Sequence, residues 1–253
     1  ELNKVMKDIT KEFGEVLYVG NIPEKEVLPF SSPTLNYITP GGVRYGLSSE
    51  FVGEESSGKS TLVQDVIKNF QKREAERYAN KKAELEDIIA NSKKKPEVAK
   101  AKDELDNLHE RVAVYLDIEY SVEPKWMKKL GVDPNKVILY RPTTAGVEEH
   151  LDNIVKLAKT GVIGLIAIDS IGTMASSAEA DADIAKGNYG GISKPLTKYY
   201  KQIMPVMSSQ NIIHLIVNQT KADMSGYGQL VRPGGNANKF AQALVLRLSP
   251  ATQ

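Results

Sequence analysis

The segment GEESSGKS, residues 53–60, limits what this chain can fold into more than any other feature. A loop with this spacing works only where a strand leads into it and a helix begins directly after it. The sequence supplies both, because the strand-like run 49–52 precedes the loop and residues 61–70 have the apolar spacing of a helix. The sequence therefore predicts a strand, a phosphate-binding loop and a helix in succession.

The residue types of the loop predict its chemistry. Gly53 and Gly58 allow the backbone to curl so that successive amides point at phosphate oxygens. Lys59 adds a mobile positive charge, and the hydroxyl of Ser60 is placed to bind Mg²⁺. A glycine-rich turn without function is the alternative, and the flanking strand and helix argue against it. We predict a site for ATP and Mg²⁺ that includes Gly53, Glu55, Ser56, Ser57, Gly58, Lys59, Ser60 and Thr61.

The rest of the chain alternates short apolar runs with helical segments. The strand-like runs, rich in β-branched residues, are 112–118, 137–140, 163–168, 212–217 and 243–248. Strands that are apolar on both faces and separated by helices favour an α/β fold with a mostly parallel, twisted sheet flanked by helices. In such sheets ligands bind at the carboxyl ends of the strands, where the phosphate-binding loop is also expected.

Composition excludes several classes of function. The 33 basic and 32 acidic residues give a formal charge of +1, so nucleic-acid binding would depend on local patches rather than on the net field. The absence of cysteine excludes disulfides, zinc–thiolate sites and thiol nucleophiles. No run of 18 apolar residues occurs, so we expect no membrane association. We expect a cytoplasmic protein, in the bacterial cytosol or in a host's cytosol if a phage encodes it.

Two segments add to this core. Residues 2–13 predict a short helix that Gly14 ends, followed by an extended run at 16–19, and we assign residues 1–35 to an N-terminal oligomerisation segment. Residues 36–253 form the predicted core. The charged stretch 71–111 reads as an inserted helical hairpin broken at 91–96. Its apolar seam is predicted to comprise Leu85, Ile88, Ile89, Val98, Leu105 and Leu108.

Acidic residues at two strand ends extend the predicted site. Asp169 ends the apolar run 165–168, where a Mg²⁺ ligand or a water-orienting group belongs. Glu119 follows the run 114–118 and could accept the proton of an attacking water if its strand neighbours the one that leads into the loop. Asp117 and Glu123 are alternative bases on the same segment, and a solvated acid is the alternative for each.

Taken together, these segments resemble the RecA family of recombinases. After Glu119, the string EPKW at 123–126 is similar to the family's adenine-side segment, in which Glu123 and Trp126 would contact the base. Asn218-Gln219 resembles the family's γ-phosphate-sensing pair, and GGNANKF at 234–240 is similar to a further family string. The resemblance implies that Glu119, Lys59 and Gln219 act in ATP hydrolysis, with Ser60 and Asp169 at Mg²⁺.

The resemblance also implies two DNA-binding loops, at residues 178–191 and 220–233. We expect a DNA-dependent ATPase that forms homo-oligomeric filaments on single-stranded DNA, pairs them with double-stranded DNA and exchanges strands in recombination and repair. Loader or mediator proteins are further expected partners. The predicted DNA-binding residues are Lys186, Tyr189, Gly190, Gly191, Lys221, Tyr227, Arg232, Gly234, Gly235 and Asn236.

The chain also departs from the family pattern. Glu54 replaces a usual proline, and the family has only a short link where residues 71–111 stand. We expect the hairpin to be a passive arm, with a site for a partner protein or duplex DNA at residues 93–95 as the alternative. The family's C-terminal domain is absent from the sequence, and we expect the native chain to continue beyond Gln253. A ring helicase or branch-migration motor, and a non-catalytic ATP-binding regulator, are the competing functions.

Overall fold

The computed structural model describes residues 1–14, 16–143, 146–174, 191–222 and 230–250. At its centre is a six-stranded sheet in the order β10-β3-β7-β6-β4-β5, in which every neighbouring pair is parallel. Its strands are β3 (Ser48–Gly53), β4 (Val112–Asp117), β5 (Val137–Tyr140), β6 (Ile163–Asp169), β7 (Ile213–Gln219) and β10 (Gln242–Leu248). The predicted α/β class and mostly parallel sheet are confirmed.

Helices and two small ribbons complete the described residues. The ribbons pair β1 (Val27–Leu28) with β2 (Val43–Arg44), and β8 (Lys221–Ala222) with β9 (Leu230–Val231), both antiparallel. The α-helices are α1 (Leu2–Phe13), α2 (Pro33–Ile38), α3 (Lys59–Asn91), α4 (Lys95–Asp106), α5 (Pro124–Lys129), α6 (Val147–Ala158), α7 (Ser193–Gln210) and α8 (Gly235–Ala241). Within the described ranges, no helix combines the length and apolar character needed to cross a membrane.

The sheet divides the core into two apolar layers. Because side chains alternate along a strand, Val114 and Leu116 of β4 face the layer of α6 and α7, and Ala113 and Tyr115 face the layer of α3. All residues of β3 and β6 are buried, as expected for strands covered on both faces.

The predicted hairpin grows directly out of the helix that follows the phosphate-binding loop. Helix α3 contains no glycine or proline and runs for 33 residues, which corresponds to about 50 Å. Helix α4 returns along it, and Leu85 and Ala101 are buried in their seam. The insertion is therefore a continuous extension of the loop helix and not a separately attached element.

The N-terminal region differs from the prediction in one element. Helix α1 has the predicted bounds, but residues 16–18 form no strand and 19–21 form one 3₁₀ turn. The strand of this region lies later, at β1, where pairing with β2 is available. Leu28 and Phe30 are buried in the same layer as Phe51, so the core includes chain before residue 36. For the residues before β1, the oligomerisation segment stays a prediction.

The core contains a buried, hydrogen-bonded histidine. His214 on β7 is fully buried, with Nδ1 2.7 Å from Ser48 Oγ and Nε2 2.8 Å from the Tyr199 hydroxyl. The ring of Tyr200 packs edge-on against it. Burial lowers the pKa of His214 to about 3, so the folded protein keeps this imidazole neutral.

This histidine predicts an acid-sensitive contribution to stability. Below pH 6.5 His214 becomes protonated in the unfolded chain but stays neutral in the folded chain. The free energy of unfolding therefore falls as the pH falls toward 3. Between pH 7 and pH 5 the loss from this residue is about 2 kcal/mol. Urea unfolding of His214→Gln, which keeps hydrogen-bonding capacity, is expected to lack that loss. Equal pH dependence of the two proteins would contradict the assignment.

Candidate nucleotide and nucleic-acid site

The parallel strands place the predicted site residues at one edge of the sheet. Gly53 at the end of β3 is level with Gln219 at the end of β7. Likewise, Asp117 at the end of β4 is level with Asp169 at the end of β6. Four residues that are far apart in sequence therefore lie along the carboxyl edge, as the fold class predicts.

The phosphate-binding loop joins β3 to α3 through a tightly constrained backbone. Gly58 precedes the helix with a φ of 89°, and Ser56 has a φ of 59°. A Cβ at Gly53 would lie 2.2 Å from the carbonyl oxygen of Leu248, so only glycine fits against β10 there. The Lys59 ammonium donates to the carbonyl oxygen of Glu54 at 2.5 Å, which keeps it over the loop.

Ser60 and Asp169 meet, as their predicted shared role requires. The Ser60 hydroxyl donates to Asp169 Oδ2 at 2.6 Å, and the buried Tyr115 hydroxyl donates to the same oxygen at 2.6 Å. Burial raises the pKa of Asp169, the two hydroxyl bonds act against that rise, and the nearby charges of Glu119 and Asp117 add to it. A divalent cation at this position would stabilise the ionised carboxylate.

Glu119 reaches the same edge by a different route from the one we expected. Strand β4 does not neighbour β3, because β7 and β6 lie between them. The strand before Glu119 therefore does not neighbour the strand that leads into the loop, which was the condition for Glu119 to act as the base. Instead, Glu119 Oε1 accepts hydrogen bonds from Ser170 Oγ at 2.5 Å and from Gln219 Nε2 at 3.0 Å, which orient the carboxylate toward the intervening strands.

Asp117, an alternative base, has a different role in the structure. Its carboxylate is fully buried and accepts from the amides of Ser121 at 3.0 Å and Val122 at 3.2 Å. It also accepts from Arg141 Nε at 2.9 Å, and Arg141 donates in turn to the carbonyl oxygen of Val122 at 2.6 Å. With its oxygens so occupied, Asp117 fixes the segment that carries Glu119.

A cavity of about 510 Å³ opens beside the loop, within the size range of small-molecule sites. Gly58, Thr61 and Leu130 line it together with Leu246 and Leu248 of β10. These residues give it a largely apolar wall next to the phosphate-binding amides.

The predicted base contacts do not line this cavity. Glu123 lies just before α5 and makes no capping hydrogen bond with its side chain. Trp126 on α5 is 46% exposed, and Lys129 Nζ lies 5.9 Å from the centre of its ring. Only the end of α5 reaches the cavity, through Leu130. The roles of Glu123 and Trp126 stay predictions.

The predicted DNA-binding loops are described only at their ends. Lys186, Tyr189, Gly190 and Tyr227 lie outside the described residues. Gly191 marks the end of the first loop with a φ of 57°, and the ribbon of β8 and β9 forms the base of the second, with the backbone of Lys221 paired to Val231.

The residues after the second loop form the start of α8. Gly234 and Gly235 have φ values of 100° and 65°, and Asn236 is exposed in the first turn of the helix. The two glycines give the chain a sharp turn that returns it to the core.

Arg232 has a partner that sequence analysis did not identify. Its guanidinium forms an ion pair at 2.5 Å with Glu50, a fully buried carboxylate in the middle of β3. Glu50 also accepts from Asn218 Nδ2 at 2.8 Å and from Asn238 Nδ2 at 2.7 Å. The end of the second loop is thereby tied to the strand that leads into the phosphate-binding loop.

Four residues of this site carry little or no signal in the sequence. Glu50 is the one charged residue of the fully buried strand β3, and such a charge signals a buried partner without identifying it. Arg141 directly follows β5, and this position after a strand end was the only sign in the sequence that it could belong to the site. Tyr115 and Ser170 read as ordinary members of a strand and a loop, and only the fold brings them to Asp169 and Glu119.

The family of the chain follows from comparison with known proteins. The sequence model of the RecA N-terminal domain matches residues 97–252, more than half of the chain. The chain belongs to the RecA family. The match includes Glu119, Asp169 and Gln219, and it confirms the resemblance drawn from the motifs.

Individual relatives agree with this family. Protein RecA of Thermus aquaticus is 26% identical over 259 residues, covering 100% of this chain and 65% of the relative. Protein RecA of Sulfurimonas denitrificans is 25% identical, covering 94% of this chain and 61% of the relative. The chain thus spans about two thirds or less of the length of these relatives. The crystal structure of the RadB recombinase shares the fold, with a TM-score of 0.60, 17% identity and coverage of 90% and 85%.

Proposed function

We propose that this chain is the ATPase core of a DNA recombinase. It would assemble on single-stranded DNA with ATP, pair that strand with homologous duplex and hydrolyse ATP to release it. The observation that carries the proposal is the position of Gln219, whose side chain holds Glu119 and whose chain neighbour Thr220 donates to the carbonyl oxygen of Gly53 at 3.3 Å. The predicted second DNA loop begins at that same residue, Thr220.

The residues present fit ATP and Mg²⁺. The buried hydroxyls of Ser57 and Thr220 have no partner among the described residues, so each retains hydrogen-bonding capacity for a phosphate oxygen. Ser60 and Asp169 offer the hard oxygen ligands that Mg²⁺ prefers. When bound, ATP would supply the phosphoanhydride whose cleavage drives a cycle of assembly and release, and Mg²⁺ would neutralise charge on its phosphates.

Each protein group has a defined task in this proposal. The Lys59 ammonium and the loop amides bind negative charge, and the Ser60 hydroxyl is directed by Asp169. The Glu119 carboxylate accepts a proton from water, and Ser170 and Gln219 hold it in place for that transfer. Movement of the Gln219 amide would displace both Glu119 and the first residues of the DNA loop.

Steady-state ATP hydrolysis with and without single-stranded DNA tests the proposal. We expect several-fold stimulation by the DNA, because Gln219 holds the catalytic carboxylate of Glu119 and directly precedes the predicted DNA loop. A Lys59→Ala control should lose ATP binding, and with it hydrolysis and ATP-dependent DNA binding. An unstimulated rate would argue against a DNA-coupled motor, and full strand exchange by Lys59→Ala would contradict the need for ATP.

Electron microscopy of the protein on DNA distinguishes the proposal from a ring motor. Extended helical filaments are the expected assembly, and closed rings would favour the helicase alternative. Truncation of residues 1–18, which include the amphipathic helix α1 but leave β1 and the buried Leu28 and Phe30 in place, tests the N-terminal segment in this assay. Filaments that persist after truncation would remove the oligomerisation role assigned to that segment.

A further inference from the structure

Basic and acidic residues of the hairpin are segregated along its length. Residues 88–102, around the tip, contain five lysines and one glutamate, whereas 84–87 and 103–106 contain three acidic residues each and no basic residue. The acidic middle is paired internally, as Lys81 lies 3.2 Å from Glu84 and 3.3 Å from Glu104. The tip lysines are all exposed, and none has an ion-pair partner among the described residues: Lys93, Lys94, Lys95, Lys100 and Lys102.

The turn at the tip is formed without the lysine side chains. Ser92 Oγ donates to Glu97 at 2.6 Å and accepts from the amide of Lys94 at 3.2 Å, and Pro96 lies in the first turn of α4. Three successive lysines are therefore displayed on a defined turn, where like charges repel one another without compensation. A fold that keeps such a cluster unpaired leaves it free for an anionic partner.

The arm that carries this tip is fixed to the core. Glu74, which is buried, bonds Arg111 at 2.7 Å and Arg77 at 2.7 Å, and the Arg77 guanidinium lies 4.5 Å from the centre of the Tyr45 ring. Because α3 continues without a break from Lys59, the tip is held about 50 Å along the helix from the phosphate-binding loop. The tip is therefore too far away to belong to the nucleotide site.

The surface of the arm indicates the chemistry of its partner. Within residues 71–111, all of which the structure describes, no large hydrophobic side chain is exposed. A stable protein interface needs a buried apolar or aromatic centre, and lysine is depleted there. Binding to a phosphate backbone needs only accessible cations, and the linear charge density of duplex DNA favours it further.

We propose that the hairpin tip is a second DNA-binding site, at which Lys93, Lys94 and Lys95 contact the phosphate backbone of duplex DNA. The proposal rests on the recombinase function above, which requires a duplex near the assembled protein. A rigid arm would capture that duplex without sequence preference and hold it beside the protein. Contacts to phosphates alone carry no base information. The tip would therefore bind any duplex equally well, which suits a search for homology along unrelated sequences.

Fluorescence anisotropy of the full chain with a labelled duplex, over a salt series from about 50 to 200 mM, tests this site. We expect the triple variant Lys93→Ala, Lys94→Ala, Lys95→Ala to bind about tenfold more weakly, with a slope against log salt shallower by about 2 to 3. The matched control, Lys156→Ala, Lys159→Ala, Lys201→Ala, removes the same charge from exposed positions on and near α6 and α7 and should change neither value.

The outcomes separate this site from the proposed function. DNA-stimulated ATP hydrolysis that persists in the tip variant, with weakened duplex binding, supports a separate second site. Unchanged duplex affinity and salt slope, or equal losses in both triple variants, would overturn the site and leave the ATPase proposal standing. Tip-dependent binding of poly-glutamate without binding of duplex would also overturn it, in favour of an acidic protein partner. Wild-type protein without DNA-stimulated hydrolysis would count against the recombinase proposal instead.

Discussion

Replacement of Glu119 by glutamine is expected to lower kcat for ATP hydrolysis by about 10²–10⁴-fold while ATP affinity changes little. The glutamine oxygen can still accept the hydrogen bonds from Ser170 and Gln219 that hold Glu119, but the amide cannot take a proton from water. Steady-state kinetics gives kcat, and titration with a fluorescent ATP analogue gives the affinity.

Glu123→Gln tests the alternative base on the same segment. Glu123 is an exposed acid four residues further along the same segment, and its side chain makes no capping bond to α5. We expect its kcat to remain near the wild-type value. Near-normal hydrolysis by Glu119→Gln, or an equal loss in the two variants, would show that the base lies elsewhere.

Asp117→Ala is expected to reduce the free energy of unfolding by about 3 kcal/mol. The change leaves the amides of Ser121 and Val122 without their acceptor and removes the partner of Arg141. Urea unfolding measures the loss. Because the same segment carries Glu119, we also expect kcat for ATP hydrolysis to fall.

Arg141→Ala provides the comparison for Asp117. It removes one bond from the carboxylate but leaves both amide bonds in place, and the guanidinium is 38% exposed, so solvent can replace part of what is lost. We expect about 1 kcal/mol or less from this change. A larger cost for Arg141→Ala than for Asp117→Ala would mean that the arginine, not the carboxylate, organises the segment.

The sequence was most informative where function depends on local backbone chemistry. The phosphate-binding loop, the strand end at Asp169 and the bounds of α1 follow from spacing and residue type, which local structure preserves. The extended run at 16–19 does not become a strand, because β propensity without a partner strand does not produce pairing. The role of Glu119 was made conditional on β4 neighbouring β3, which it does not, because the order of parallel strands depends on the path of each crossover connection.

The phosphate-binding loop, the parallel α/β class and the hairpin were determined by the sequence alone, since each is specified by residues close together in the chain. Only the tertiary structure decided that Glu119 is held by Gln219, that Asp117 is occupied by Arg141 and that Arg232 pairs with Glu50. These contacts join residues from 24 to 182 positions apart. Spacing along the chain carries no signal for such pairs, because the packing of the sheet alone brings them within hydrogen-bonding distance.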